Sequence, residues 1–238
     1  SGKDRSCSTV CDTCYDHSND WNWTVRTSVG DFNIARIDRQ GWREPPRWTQ
    51  VQKGQPVAQE RSFVNYILAA PDSLFHKNSD IKARYKKSLP KYPTVFDYHY
   101  ADRAIPIGVT VPDLREWNHR LALVLRELGP KKQANVSIVI TSHGEEYSYA
   151  REEHWLGGKK NDILVVLGVS EYPSIAWVRI VSWTDKEIFK VGLRDALMDL
   201  EKLSAQAVVD TIERHTYATF VRRPMADFSY LWAEVRPP

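Results

Sequence analysis

Cysteine is all but missing from this chain: Cys7, Cys11 and Cys14 are the only three in 238 residues. A body stapled throughout by disulfides is therefore excluded, and these cysteines read as a small knot appended at one end. Long hydrophobic runs are absent too. No apolar stretch approaches the roughly 20 residues that span a bilayer. An excess of either charge is also missing: the net charge is +3, with 26% charged residues in mixed-sign segments. That balance exerts no strong pull toward nucleic acid or a lipid surface, and no nucleic-acid partner is expected. The one basic run, Lys82, Arg84, Lys86, Lys87 and Lys91, has the character of a solvated helix face. The chain shows no internal repeat, low-complexity tract or signal peptide, and it opens Ser1-Gly2. It is expected to be a processed or excerpted part of a longer protein.

What is present is an ordinary globular composition, 42% apolar, with nine tryptophans that suit amphipathic surfaces and partner contacts. The pattern changes near residue 101. Residues 1–100 form a strand-rich module that begins with the Cys-containing extended segment. Trp21, Trp23 and Val25 alternate with Asn22, Thr24 and Arg26 as a half-buried strand. Phe32 and Ile34 continue the pattern after a Gly30-Asp31 turn. The Trp42 to Trp48 stretch holds Pro45 and Pro46, which lack backbone donors, and is expected to be extended and edge-like. Residues 61–69 fit a strand or a short helix. A helix over 80–88, capped by Ser79 and stopped by Pro90, and a strand over 95–100 complete the module.

Residues 101–238 carry sharper signals. Asp113 and Glu116 open a helix on which Leu114, Trp117, Leu121, Val124, Leu125 and Leu128 recur, and Gly129-Pro130 is expected to end it. Val136, Ile138 and Ile140 alternate as a strand, and a charged helix over 145–156 closes at Gly157-Gly158. The apolar run 163–169 is expected to be a strand buried on both faces, followed by a turn at 171–174 and a strand over 175–183. Thr184 and Glu187 form a capping box, Ser204 caps a further helix, and 227–235 is a last amphipathic piece. The order predicts an α+β or α/β layer arrangement, a small sheet covered by helices behind a strand-rich module. One core should hold Leu121, Val136, Ile138, Val165, Leu167, Leu193 and Ile212.

These elements resemble the TPM family, extracytoplasmic α/β domains often described as phosphatases. The similarity covers residues 102–215. It runs through the first helix, the Val136-Ser-Ile-Val-Ile140 strand, the Trp155-Leu-Gly157-Gly158 helix end, the Lys-rich turn with its apolar strand, and Trp177-Val178-Arg179-Ile180. The resemblance implies a module outside the cytoplasm, tethered to a membrane by a segment outside these residues. The chain departs from the family at its site. Where the family carries Asp-Asn-Gly, this chain has Lys160, Asn161 and Asp162; where it carries Val-Gly-x-Gly, this chain has Val181-Ser182-Trp183-Thr184. Glycines in such loops let backbone approach a ligand, and Trp183 does not. The expected function is therefore a non-catalytic binding or assembly module, with other protein chains, including further copies of itself, as partners. A metal-dependent TPM-type phosphatase is the alternative.

Lys160, Asn161, Asp162 and Asp185 are the candidate binding residues; oxygen donors of this kind suit calcium or magnesium. Against that stands a plain reading, with Asp162 a turn residue and Asp185 a first-turn helix acid. Cys7, Cys11 and Cys14 with His17 could form a Cys3His zinc site, and the cysteine spacing also matches an iron–sulfur motif. Disulfides among them are the structural reading. The strand-end sequence Thr141-Ser142-His143-Gly144 gathers nucleophile and base, but neighbouring strand residues point to opposite faces, which favours a capped loop. Asn22 and Asn135 lie in glycosylation sequons, the second within a predicted strand. Mass spectrometry under non-reducing conditions should show at least one disulfide involving Cys7, Cys11 or Cys14; three free thiols with bound iron or stoichiometric zinc would reject the structural reading.

Overall fold

A computed structural model describes residues 21–27, 30–53, 79–93 and 102–228. The three cysteines, His17 and the expected elements at 61–69 and 95–100 lie outside these residues, as does the end of the 227–235 piece, of which only the 3-10 turn Met225–Phe228 is described. The chain divides into two compact units, Ser1–Gly54 and Gln55–Pro238. The segment 79–93, grouped by sequence pattern with the N-terminal module, belongs to the second unit.

In the first unit β1 (Trp23–Thr27) pairs antiparallel with β2 (Gly30–Ile34), Trp23 opposite Ile34 and Thr27 opposite Gly30. Gly30 and Asp31 are thus strand residues and not the turn. Trp23 anchors the hairpin: its ring lies 4.8 Å from that of Trp48, and its indole N–H donates to the Gly41 carbonyl at 3.1 Å. Gly41 is obligatory, because at φ +81° an added Cβ would stand 1.9 Å from the Trp21 carbonyl oxygen. The Trp42 to Trp48 stretch forms bends and leads into a single 3-10 turn, Trp48–Gln50, instead of an extended edge. The Trp48 N–H closes the preceding turn on the Pro45 carbonyl at 2.8 Å, a bond for which proline needs no donor, and the Val51 N–H closes the 3-10 turn on the Trp48 carbonyl at 3.0 Å.

The second unit is built on a four-stranded sheet in the order β3 (Ala104–Ile107), β4 (Asn135–Thr141), β5 (Asp162–Glu171), β6 (Ser174–Ser182). The first three strands run parallel and β6 is antiparallel to β5. Helices α2 (Leu114–Lys132), α4 (Glu187–Met198) and α5 (Ala205–Thr219) cover one face. Helix α3 (Glu146–His154) and a strap comprising α1 (Ser79–Arg84), the turn Lys86–Ser88 and residues 89–93 cover the other. Strand alternation assigns the faces. Val136, Ile138, Ile140, Ile163, Val165 and Leu167 meet the three-helix layer, whereas Val139, Leu164, Val166 and Val181 meet Tyr147, Trp155 and the strap. β5 is buried on both sides from Asp162 through Val169, as a continuous apolar run requires. All seven residues expected to share one core do so.

The connections have an unusual geometry. β3 reaches β4 through α2 on one face, and β4 reaches β5 through α3 on the other. Both steps move the same way across the sheet, so the two crossovers are of opposite hand; two right-handed ones would have placed both helices on one face.

Three local expectations need correction. α2 does not stop at Gly129-Pro130: proline forfeits one bond in the last turn, the helix runs on to Lys132, and Gln133 at φ +53° reverses the chain. Asp113 does not cap α2 with its side chain, because its carboxylate accepts the Tyr172 hydroxyl at 2.8 Å. Thr184 does not close a capping box: its hydroxyl accepts the Lys186 N–H at 3.2 Å, one turn before α4 begins. Ser204 does cap α5, accepting the Ala207 N–H at 3.2 Å. Elsewhere Gly168 makes room for its cross-strand partner Trp177, whose indole lies 2.0 Å from where a Cβ would be. Leu121, 0% exposed at the centre of the core, tests the packing: Leu121→Ala should cost about 2–5 kcal/mol in urea denaturation.

Candidate functional site

The Gly-Lys-Lys-Asn-Asp turn leads to the amino ends of the parallel strands. Asn135 and Asp162 are register partners at the starts of β4 and β5, and their side chains meet. Asp162 is only 6% exposed and its carboxylate collects donors from three elements. The Asn135 amide reaches Oδ1 at 2.8 Å, the Lys159 backbone N–H reaches Oδ2 at 2.8 Å, and the Tyr92 hydroxyl from the strap lies 3.1 and 2.9 Å from the two oxygens. Arg103 holds the other end of the Asn135 amide, donating to Oδ1 at 2.7 Å. The Ser182 hydroxyl donates to the Asp162 carbonyl at 2.8 Å.

The turn before β5 is shaped by the same carboxylate. Leu156, Gly157 and Gly158 all have positive φ, and at Gly158 a Cβ would sit 3.0 Å from the Asp162 oxygen. Trp183 donates its indole N–H to the Gly157 carbonyl at 2.7 Å. The large ring braces the turn that a smaller residue would leave open.

The four candidate residues have different settings. Asp162 is buried and engaged. Asn161 gives its backbone carbonyl to the Asn135 N–H at 2.8 Å. Lys160 is half-buried, and burial, with Arg222 nearby, pushes its ammonium below the usual lysine range. Asp185 is exposed. No three His, Cys, Asp or Glu side chains form a metal-binding group among the described residues.

At the opposite, carboxyl end of the sheet, the Ser142 hydroxyl donates to the Gly108 carbonyl at 2.7 Å. The His143 ring stacks on Tyr147 at 5.0 Å and meets the edge of Tyr85 at 5.2 Å. The two side chains therefore do not form a nucleophile–base pair, in keeping with the expected capped loop. The Asn135 sequon is likewise occupied by structure, since its amide is bound to Asp162 and Arg103.

Two important residues escaped the sequence reading. Tyr92 lies in a Lys-Pro stretch resembling solvated surface, and Arg151 sits in a charged helix between acids. Arg151 is 0% exposed: its guanidinium packs 3.1 Å above the Trp155 ring and Nη1 donates to the Pro90 carbonyl at 3.1 Å. Burial pushes it down to about 9, still protonated at neutral pH. Its signal was the i, i+4, i+8 spacing of Tyr147, Arg151 and Trp155, which marks one helix face.

The chain matches no protein-family model, no curated protein and no solved structure.

Burial pushes the Asp162 carboxyl above the usual aspartate range, and the donors from Lys159, Asn135 and Tyr92 offset only part of that. Between the ordinary and the raised value the folded chain keeps a proton that the unfolded chain has lost, so stability falls as pH rises through that window. Asp162→Asn removes this dependence. Urea denaturation across pH should show the parent losing stability relative to the variant as pH climbs from the ordinary aspartate range toward neutrality. A difference that stays constant, or turns toward the parent, would overturn the assignment.

Proposed function

We propose that this protein is a TPM-like module outside the cytoplasm, tethered to a membrane by a segment outside these residues, that works by holding other protein chains and not by turnover. One observation carries the reading: the Asp162 carboxylate, at the place where the family bears its acidic motif, is filled by donors and covered by Tyr92. Phosphoryl transfer requires a positioned nucleophile and groups that stabilise developing charge. Lys160 stands in the family's acid position and repels a divalent cation, while Trp183 braces the loop where the family has glycine. The scaffold half of the proposal is supported by the helix and strand order of the second unit, which follows the order in which the family resemblance runs.

Support for association comes from the surface. α4 presents Ile188, 69% exposed, with Val191 and Met198 along the same helix, and the first unit exposes Trp42 at 75%. Large apolar groups of this kind suit contact with another chain.

The second reading, a metal-dependent phosphatase, draws on Lys160 only as a phosphate contact, a half-buried ammonium near Arg222, and the same ammonium opposes the metal that this reading needs. A third, a zinc or iron–sulfur protein through Cys7, Cys11, Cys14 and His17, depends on residues outside those described. A phosphatase assay with added calcium, magnesium or manganese, beside a sizing measurement, decides between the first two. No turnover and self-association at high concentration are expected. Turnover that vanishes in Asp162→Ala, from a protein that stays monomeric, would reverse the conclusion.

A further inference from the structure

The first unit lies outside the residues that carry the family resemblance, and its charge differs from that of the chain as a whole. Within residues 21–53, Arg26, Arg36, Arg39, Arg43, Arg47 and Lys53 stand against three acids, Asp31, Asp38 and Glu44. Six bases less three acids account for the entire net charge of +3. The even balance of the full sequence therefore conceals a short basic stretch. One of its three acids is turned inward on the chain. The Asp38 carboxylate accepts the backbone N–H groups of Gly41 at 2.6 Å, Arg43 at 3.0 Å and Trp42 at 3.2 Å.

The same stretch exposes apolar bulk. Trp21, Ile37 and Trp42 are 67%, 49% and 75% exposed. They are not scattered. The Trp21 N–H donates to the Gln40 carbonyl at 3.0 Å, and the Trp21 carbonyl lies against Gly41, so Trp21 and Trp42 leave the backbone at neighbouring points. Ile37 and Trp42 flank the turn that Asp38 closes. Trp23 and Trp48 are spent on each other, and the Trp23 indole N–H is spent on the Gly41 carbonyl. One pair of tryptophans thus fixes the turn, and the other pair is presented to solvent by it.

Two independent features, a surplus of arginine and a cluster of exposed apolar side chains, select the partner. Tryptophan favours the boundary of a bilayer, where its ring meets acyl chain and its N–H meets headgroups. Arginine meets anionic lipid headgroups, and each basic residue near such a surface adds to binding. A single-stranded nucleic acid would also suit basic residues among indoles, but it binds by stacking on ring faces, and an exposed isoleucine offers it none. We propose that the first unit docks on an anionic lipid surface, with Trp21, Ile37 and Trp42 set into the headgroup layer and the arginines around them on the headgroups. The inference goes beyond the holding role assigned to the second unit and does not rest on it.

The test uses the full chain and vesicles of phosphatidylcholine, alone or with about 30 mol% phosphatidylserine. Co-sedimentation should show binding to the anionic vesicles about 10-fold tighter than to the neutral ones, and added salt should erase that difference. Arg39→Ala combined with Arg43→Ala should weaken binding to the anionic vesicles about 10-fold. Trp42→Ala should weaken it about 10-fold as well; Ile37→Ser serves if that variant does not fold by circular dichroism. Brominated acyl chains should quench tryptophan fluorescence in the parent and less in Trp42→Ala. Absent or salt-insensitive binding to anionic vesicles, binding untouched by either kind of substitution, or a tighter and competing association with a single-stranded oligonucleotide would overturn the proposal. If the vesicles fail and Trp42→Ala instead abolishes self-association, the indole belongs to a protein contact: the lipid proposal falls and the binding-module reading stands.

Discussion

The carboxylate of Asp162 is the point on which the second unit depends. It lies at the start of β5, and the groups bonded to it come from β4, from the turn after α3 and from the strap. A buried carboxylate without such partners would be costly, because water no longer solvates its charge. Collecting three donors turns that cost into a constraint: the strand start, the left-handed turn at Gly157 and Gly158, and the path of residues 89–93 must all be in place together. Raising the carboxyl above its usual range shows that desolvation still dominates. Such a group specifies arrangement more than it adds stability.

The opposite-handed crossovers make that constraint intelligible. Helix α3 is short, Glu146–His154, and by crossing on the face opposite α2 it leaves much of the second sheet face to be covered by something else. The strap supplies the cover with Tyr85, Leu89 and Tyr92. Its main-chain carbonyls at 88 and 90 then need donors, and α3 provides them from residues that a solvent-facing helix would not bury. The buried Arg151 follows from the same geometry: a long side chain with several donors can reach a carbonyl across a helix–strap gap that serine or asparagine could not span.

The legible part of the fold was the part written in periodicity. β5 announced itself by a seven-residue apolar run, and Leu121, Leu193 and Ile212 fell into the core because helical spacing fixes which face turns inward. Boundaries failed where tertiary contacts outweighed local rules. Asp113 spends its carboxylate on Tyr172 in place of its own helix, and the last turn of α2 tolerates Pro130. The candidate site was legible in position only. Asp162 and its turn were picked out, but its partners Tyr92 and Asn135 lie 70 and 27 residues away in sequence, and no local pattern joins them. Arg151 was hidden because charge is read as exposure, a rule that fails when a buried carbonyl row requires donors.

The position of Asp162 at the amino ends of the strands also bears on what the protein can be. In open α/β sheets ligands gather beyond the carboxyl ends, at the point where adjacent connections leave for opposite faces. Here that point lies between β3 and β4, and side chains span it. Ser142 is bonded to the Gly108 carbonyl, Trp177 donates to the His143 carbonyl at 3.3 Å, and the His143 ring packs against Tyr85 and Tyr147. Tyr85 in turn brings the strap to this end, bonding Glu146 at 2.6 Å, while Tyr92 carries it to the other. The strap therefore ties both ends of the sheet along α3. A sheet whose carboxyl end and amino end are each engaged by the chain's own side chains has its remaining readable chemistry between them, on the flank of α3, where side-chain donors meet the main-chain carbonyls of the strap.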